Sequence, residues 1–280
     1  MLVRVAASSL NGFDASVAAG RQHGMMEHRF PVVLGKDFAG TVEATGPDVS
    51  RFAVGDEVFG VVMTPYLGAD GGFAEYLVVG EGYGVARRPP ALDTETAGAL
   101  GLAGSAAATA LEALALKEGQ TLLISGATGG VGAIAVQYAV AAGVRVIATA
   151  RPGEETEMVR RLGADRTVDW SADLAAEMAA AVPDGVDAVL HLADDPHRLV
   201  TFLAPGGCLA STLMFGPDQH PSAVAVVADP QEKVLDRLAT DVAGGRLRVP
   251  VTRTYALAEV PTALADFRKG TVGKFAVAVG

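Results

Sequence analysis

The stretch from Leu122 to Glu155, "LLISGATGGVGAIAVQYAVAAGVRVIATARPGEE", reads as a strand, a glycine turn, a helix and a second strand. Such a βαβ unit demands a parallel sheet, and parallel sheets need helices on both faces. The turn itself carries chemistry. A phosphate reaches the backbone N–H groups at a helix N-terminus only where side chains are absent. Gly129 allows that approach, and Gly132 lets the helix pack closely on its strand. Gly126 and Gly130 add freedom on either side, and the first position of the motif asks only for a small residue, here Ala127. A glycine turn also serves packing alone. Between a predicted strand and a predicted helix, however, the turn Ala127, Thr128, Gly129, Gly130, Val131 and Gly132 is expected to hold a dinucleotide.

The next strand chooses between cofactors. A site for NAD carries an Asp or Glu about 20 residues on, bonded to the ribose 2′-hydroxyl. This strand ends in Thr149, Ala150 and Arg151, with no carboxylate at its tip. A guanidinium suits a 2′-phosphate, so the expectation is NADPH. The plain alternative is a solvated arginine, with Glu154 and Glu155 just beyond.

Around this unit the chain changes character twice. The first third mixes Val, Phe and Tyr with turn residues, as in "DFAGTVEATG", "VGDEVFGVV" and "GGFAEYLVV", and reads as all-β. Pro89 and Pro90 mark a boundary. An Ala- and Leu-rich helical stretch follows, with a break expected near Gly104. Apolar strands then alternate with helices, and the tail returns to β character with "RVPVTRTYAL" and "KFAVAV". The domains expected are 1–90 completed by 248–280, and 91–247. Leu192 and Ala193 end the fourth strand of the parallel sheet, and Leu213, Met214 and Phe215 the next. Ligands bind at such carboxyl ends, so these five are candidate cofactor contacts.

Bulk properties narrow the rest. Half of the residues are apolar, so a substantial core is expected, and the net charge of -10 argues against nucleic acid or anionic membrane as partner. Arg4 interrupts the only signal-like opening, and no run reaches the length of a membrane span, so a cytoplasmic protein is expected. The single cysteine, Cys208, excludes an internal disulfide and reads as a buried small hydrophobe. The histidines at 23, 28, 191, 197 and 220 show no metal-ligand spacing and read as surface or loop residues.

The ordered series "VAASSLNGFD", "GKDFAGTVEATGPDVSRFAVGDEVFG", "GGFAEY", "ATALEAL", "GATGGVGAIAVQYA", "RRLGAD", "APGGCL" and "GKFAVAVG" resembles the medium-chain dehydrogenase/reductase superfamily, especially its zinc-free quinone oxidoreductase (zeta-crystallin-like) branch. The resemblance runs over nearly the whole chain. It implies an α/β protein in which a Rossmann doubly wound parallel sheet is inserted into a GroES-like β-rich domain, and it implies a homodimer. The strands that usually precede "VRVAASSLNG" are missing, so the β domain is expected to have an uncovered edge or a start further upstream.

In zinc-dependent relatives the catalytic ligands come from C-G-x-D and G-H-E motifs. Here the matching residues are Asn11-Gly12-Phe13-Asp14 and Gly35-Lys36-Asp37, and neither an amide nor a lysine replaces thiolate and imidazole at zinc. The resemblance therefore implies a zinc-independent oxidoreductase that passes hydride from NADPH to a quinone or an α,β-unsaturated carbonyl. Asn11 is a candidate hydrogen-bond donor near the nicotinamide or the acceptor carbonyl, or equally a turn asparagine. Lys36 is a candidate electrostatic or proton-donating group, or equally a lysine that points to solvent or pairs with Asp37. Thr109 stands where the family has a threonine near the nicotinamide. The alternatives are an enoyl-thioester reductase and a non-catalytic NADPH-binding sensor.

Overall fold

The computed structural model describes all 280 residues. The chain opens with β1 (Leu2–Ser9), α1 (Gly12–Ala18), β2 (Glu27–His28), β3 (Asp37–Ala44) and β4 (Glu57–Val61). It continues through β5 (Tyr66–Leu67), β6 (Tyr76–Val78), β7 (Val85–Arg87), α2 (Thr94–Ala97) and α3 (Gly101–Leu114). The alternating part comprises β8 (Thr121–Ser125), α4 (Gly130–Ala141), β9 (Arg145–Thr149), α5 (Glu154–Arg161) and β10 (Arg166–Val168). It goes on with α6 (Leu174–Ala181), β11 (Val186–His191), α7 (Pro196–Leu199), β12 (Leu203–Ser211) and β13 (Ala223–Ala225). Then come α8 (Glu232–Ala243), β14 (Val251–Ala256), α9 (Val260–Phe267) and β15 (Lys274–Ala278).

Two compact units result. One is β-rich and holds Met1–Ser105 with Pro230–Gly280; the other is α/β and holds Ala106–Asp229. The sequence places these boundaries at 90 and 247 instead. They differ because α2 packs on β1 and β3, the start of α3 bonds to Asp37, and α8 packs on β7. The helix break also falls earlier than the one expected at Gly104. α2 stops at Gly98, whose N–H meets the carbonyl of Thr94, and Gly104 lies inside α3. A Cβ there would come within 2.6 Å of Leu238 on α8, so Gly104 serves close helix packing and not a break.

The β-rich unit is a sheet ordered β14-β15-β1-β3-β4-β7, with β6 also paired to β1. Its contacts are antiparallel except for β14 with β15. Val3, Val5, Phe38, Val58, Leu77, Phe275 and Val277 fill its core.

The α/β unit is a six-stranded parallel sheet ordered β10-β9-β8-β11-β12-β13. Counted within the unit this is 3-2-1-4-5-6, the doubly wound order, with its switch point between β8 and β11. All five residues of β8 are buried, as expected of a central strand covered on both faces. The helices are started by local signals: Asp173 accepts from the N–H groups of Ala175 and Ala176, and Asp195 accepts from that of His197. In α5, Glu154, Glu155 and Glu157 occupy the first turn and Arg160 and Arg161 the last, which suits the helix dipole. No helix is long and apolar enough to cross a membrane.

Candidate functional site

At the carboxyl end of β8 the chain turns through Gly126, at φ +78°, into α4. Gly129 is the N-cap and no side chain caps the helix, so its first amides meet no carbonyl within the helix. A Cβ on Gly129 would meet nothing nearer than the Gly126 carbonyl at 3.5 Å, so the space before these amides is open. At Gly132 the reverse holds. A Cβ would come within 2.4 Å of the Gly126 carbonyl and 2.6 Å of the Ala127 Cα. One glycine leaves room for a ligand and the other brings the helix onto its strand, the division expected of the motif. Ala127 is fully buried, Thr128 nearly so, and Gly130 and Val131 form the first turn of the helix. The cradle fits a pyrophosphate.

Thr149, at the tip of β9, accepts the N–H of Gly126 through its hydroxyl at 3.0 Å and so holds the turn from the side. Beyond it Arg151 does not stand alone. Glu155 folds back from α5 and accepts the backbone N–H of Arg151 at 2.8 Å, its Nε at 2.8 Å and its Nη2 at 2.6 Å. Trp170 Nε1 donates to the same carboxylate at 3.1 Å. Burial pushes the Glu155 carboxyl up, but the Arg151 and Trp170 hydrogen bonds outweigh it and hold the group below the usual carboxylate range. A carboxylate is thus present at the strand tip, contrary to the sequence reading, because one helical turn returns position 155 to position 151. The guanidinium lies 5.2 Å from the centre of the Trp170 ring, and its Nη1 donors are outside the Glu155 contact.

β11 stops at His191 and β12 at Ser211, so Leu192, Ala193, Leu213, Met214 and Phe215 lie just past the strands and not within them. Leu213 and Met214 are exposed while Phe215 is buried. Thr109, on α3, accepts the backbone N–H of Asp229 at 3.3 Å. His191 departs from the surface or loop position expected of it: it is buried at the strand end, bonded to Ser211 and to the Asp194 carbonyl. Cys208 is half-buried, less enclosed than expected.

In the β-rich unit, Phe13, Asp14, Val17, Leu34, Lys36 and Leu67 line a pocket with an apolar wall. Lys36 donates from Nζ to the Val62 carbonyl at 2.5 Å, and its ammonium lies 5.1 Å from the centre of the Phe13 ring. Burial pushes its pKa below the ordinary lysine value, against the opposing pull of Asp14 and Asp37. Of the alternatives for Lys36, pairing with Asp37 is not made, because successive residues entering a strand point to opposite sides.

Asp37 instead anchors a buried network. Its carboxylate accepts from Ser9 Oγ at 2.6 Å, Asn11 Nδ2 at 2.8 Å and the N–H of Leu102 at 2.7 Å, with Lys274 Nζ at 3.4 Å. Lys274 also donates to Asn11 Oδ1 at 2.7 Å and to the Leu10 carbonyl at 3.1 Å. Asn11 donates a further bond to the Ser9 carbonyl, so both ends of its amide are engaged in this network. The Asn11 amide therefore is not held out toward an acceptor carbonyl; it is tied into the buried Asp37 network. Asp14 accepts the N–H groups of Asn11 and Gly35, each at 3.0 Å, and burial raises its pKa to about 6. Asp37 and Lys274, the two charged centres of the network, have no sequence signal of their own. No three His, Cys, Asp or Glu side chains converge to hold a metal ion.

Residues 1–90 match the alcohol dehydrogenase GroES-like domain family, and residues 130–234 match the zinc-binding dehydrogenase family. A quinone-oxidoreductase homolog from spinach, Spinacia oleracea, is 34% identical over 68% of this chain, and the match spans 58% of that relative's length. Among solved structures, the quinone oxidoreductase from Coxiella burnetii superposes with a TM-score of 0.90 at 27% identity, covering all of this chain and 90% of that one. An alcohol dehydrogenase superfamily protein from Novosphingobium aromaticivorans gives a TM-score of 0.84 at 32% identity, covering all of this chain and 91% of that one.

Proposed function

The chain belongs to the medium-chain dehydrogenase/reductase superfamily, in its quinone-oxidoreductase-like branch, and on that footing we propose that it is a zinc-independent, NADPH-dependent oxidoreductase acting on a quinone or an α,β-unsaturated carbonyl. The observation that carries this reading is the open amide cradle at Gly129, at the carboxyl edge of a 3-2-1-4-5-6 sheet. Bound there, a nicotinamide cofactor supplies the hydride.

The chain's own residues do the rest by binding and polarisation. The first amides of α4 take the pyrophosphate. Arg151, held from one side by Glu155, offers its remaining N–H donors to a 2′-phosphate, with Trp170 beside it. Lys36 has three ammonium donors and spends one on Val62, so two are free for the acceptor oxygen. A lysine whose pKa is lowered in this way is suited to stabilising charge on that oxygen and to giving up a proton. At the positions of the family's zinc ligands, the Asn11 amide is engaged and Lys36 is a cationic donor, so neither offers a lone pair to a metal. Electron-poor acceptors need no Lewis acid, which favours them over simple alcohols as substrates.

The deciding assay follows oxidation of NADPH and NADH with a simple quinone and a simple enone, with and without a zinc chelator. Chelator-insensitive turnover that is faster with NADPH is expected. Turnover abolished by the chelator would overturn the zinc-independent reading. NADPH binding without turnover on any acceptor, an enoyl thioester included, would leave a cofactor-binding sensor.

A further inference from the structure

Four neighbouring strands of the α/β sheet each end in a buried polar side chain: Thr149 on β9, Ser125 on β8, His191 on β11 and Ser211 on β12. They lie side by side, since Ser125 is the register partner of His191, and His191 that of Ser211. Each one holds backbone in a loop beyond a strand end. Thr149 takes the N–H of Gly126, and Ser125 donates to the Ala193 carbonyl at 2.5 Å. His191 meets the Asp194 carbonyl through Nε2 at 3.2 Å and Ser211 Oγ through Nδ1 at 2.9 Å. Ser211 Oγ in turn accepts the N–H of Leu213 at 3.0 Å and of Phe215 at 3.4 Å.

The hydrogen bonds specify the imidazole. Ser211 Oγ already accepts two amides, so its own proton goes to Nδ1, and Nε2–H goes to Asp194. The neutral ring is thus the hub between two loops, 192–195 and 212–215. Each loop holds a non-glycine residue in the left-handed region, Asp194 at φ +77° and Met214 at φ +62°. Such backbone persists only where the surroundings over-determine it, and it concentrates at ligand sites.

We propose that His191 and Ser211 are positioning residues for the nicotinamide-cofactor loops, and that His191 makes their geometry dependent on protonation. The proposal rests on the cofactor reading above. With both ring nitrogens protonated, Nδ1–H would confront a hydroxyl whose lone pairs are engaged by Leu213 and Phe215, and that hydroxyl would lose its acceptor. Loop 212–215 would then be released. Burial favours the neutral ring, against the pull of Asp194 and Asp195. Those carboxylates follow β11, and Arg198 on α7 is paired with Asp194. His197 of α7 packs on Phe215 at 5.1 Å, while β8 and β12 face the ring with Ser125 and Ser211.

The test measures the dissociation constants of NADH and NADPH between pH 5 and 8 for the wild type, His191→Asn and Ser211→Ala. NADH carries no 2′-phosphate, so its profile is free of that group's titration, and the comparison with His191→Asn isolates the loops. Wild-type affinity for NADH is expected to fall on acidification below the ordinary imidazole range. His191→Asn keeps a partner for Ser211 but cannot titrate, so its profile should be flat and its affinity at pH 8 about tenfold weaker, the scale of one lost buried hydrogen bond. Ser211→Ala should weaken binding to a similar degree. Thermal melting of each variant shows that it is folded; should His191→Asn not fold, the wild-type profile and Ser211→Ala decide. A wild-type pH profile in His191→Asn, or wild-type affinity in Ser211→Ala, would overturn the proposal while leaving the cofactor reading intact. Failure of the wild type to bind either dinucleotide would overturn both.

Discussion

In the β-rich unit the buried polar groups include an ion pair: Asp37 and Lys274 are each almost completely enclosed. In the α/β unit the corresponding row, Thr149, Ser125, His191 and Ser211, is neutral. The difference follows from what each set must connect. Lys274 lies 237 residues from Asp37 and 263 from Asn11, so the charges tie together segments remote in the chain. The neutral row pins short loops to the strands beside them. A charge cluster is stable only with every partner present, whereas a neutral row can lose one member with local damage.

That contrast is most open to attack at Lys274. Lys274→Met leaves Asp37 without its cation in a dry site and should destabilise the protein by about 3–5 kcal/mol in urea unfolding. Ser125→Ala, the neutral counterpart, should lose about 1 kcal/mol. Equal effects would erase the distinction.

The next largest effect is a pH dependence. Asp14 has a folded pKa of about 6 against an ordinary value of 3.8. The folded state therefore holds this proton more tightly than the unfolded chain. Its contribution to stability is fully present below pH about 3.8 and is lost as the pH rises to about 6, a change of about 3 kcal/mol. Unfolding energies of the wild type and Asp14→Asn, compared at pH 4.5, 5.5 and 6.5, should diverge progressively in favour of the variant. A constant gap would show that Asp14 does not titrate in this window.

Gly132→Ala tests the α/β unit where backbone meets backbone. The added methyl would collide with Gly126 and Ala127, and overpacking of this kind costs about 1–3 kcal/mol, with loss of dinucleotide binding. Gly129→Ala, where the space is open, should leave stability nearly unchanged and weaken dinucleotide binding. Arg151→Ala should weaken NADPH binding about tenfold in titrations and leave NADH nearly untouched. Equal weakening of both would remove the 2′-phosphate assignment.

The glycine turn was legible because its signal is local: strand, turn and helix lie within one short stretch, and each glycine has a separate steric duty. The alternating strands and helices were legible for the same reason. Glu155 was misjudged because a linear reading treats position 155 as past the strand tip, whereas one turn of α5 folds it back. The Asp37–Lys274 pair was invisible, since no spacing rule joins residues so far apart in the chain. His191 had a signal that was missed. The apolar runs "TLLIS", "VRVIAT", "VDAVLH" and "GGCLAS" each close on a polar residue, and four such endings on adjacent parallel strands mark a shared edge.

The placement of Lys274 also has a consequence for synthesis. A ribosome adding about 5–20 residues per second releases Asp37 roughly 12–50 s before the lysine that must neutralise it. During that interval the α/β unit, continuous from Ala106 to Asp229, has emerged whole and can close on itself. The β-rich unit has not, because its central strand β1 still lacks its neighbour β15. A released chain cut short near residue 250 would carry a finished α/β half and an open, apolar sheet, the kind of surface that chaperones hold and proteases cut.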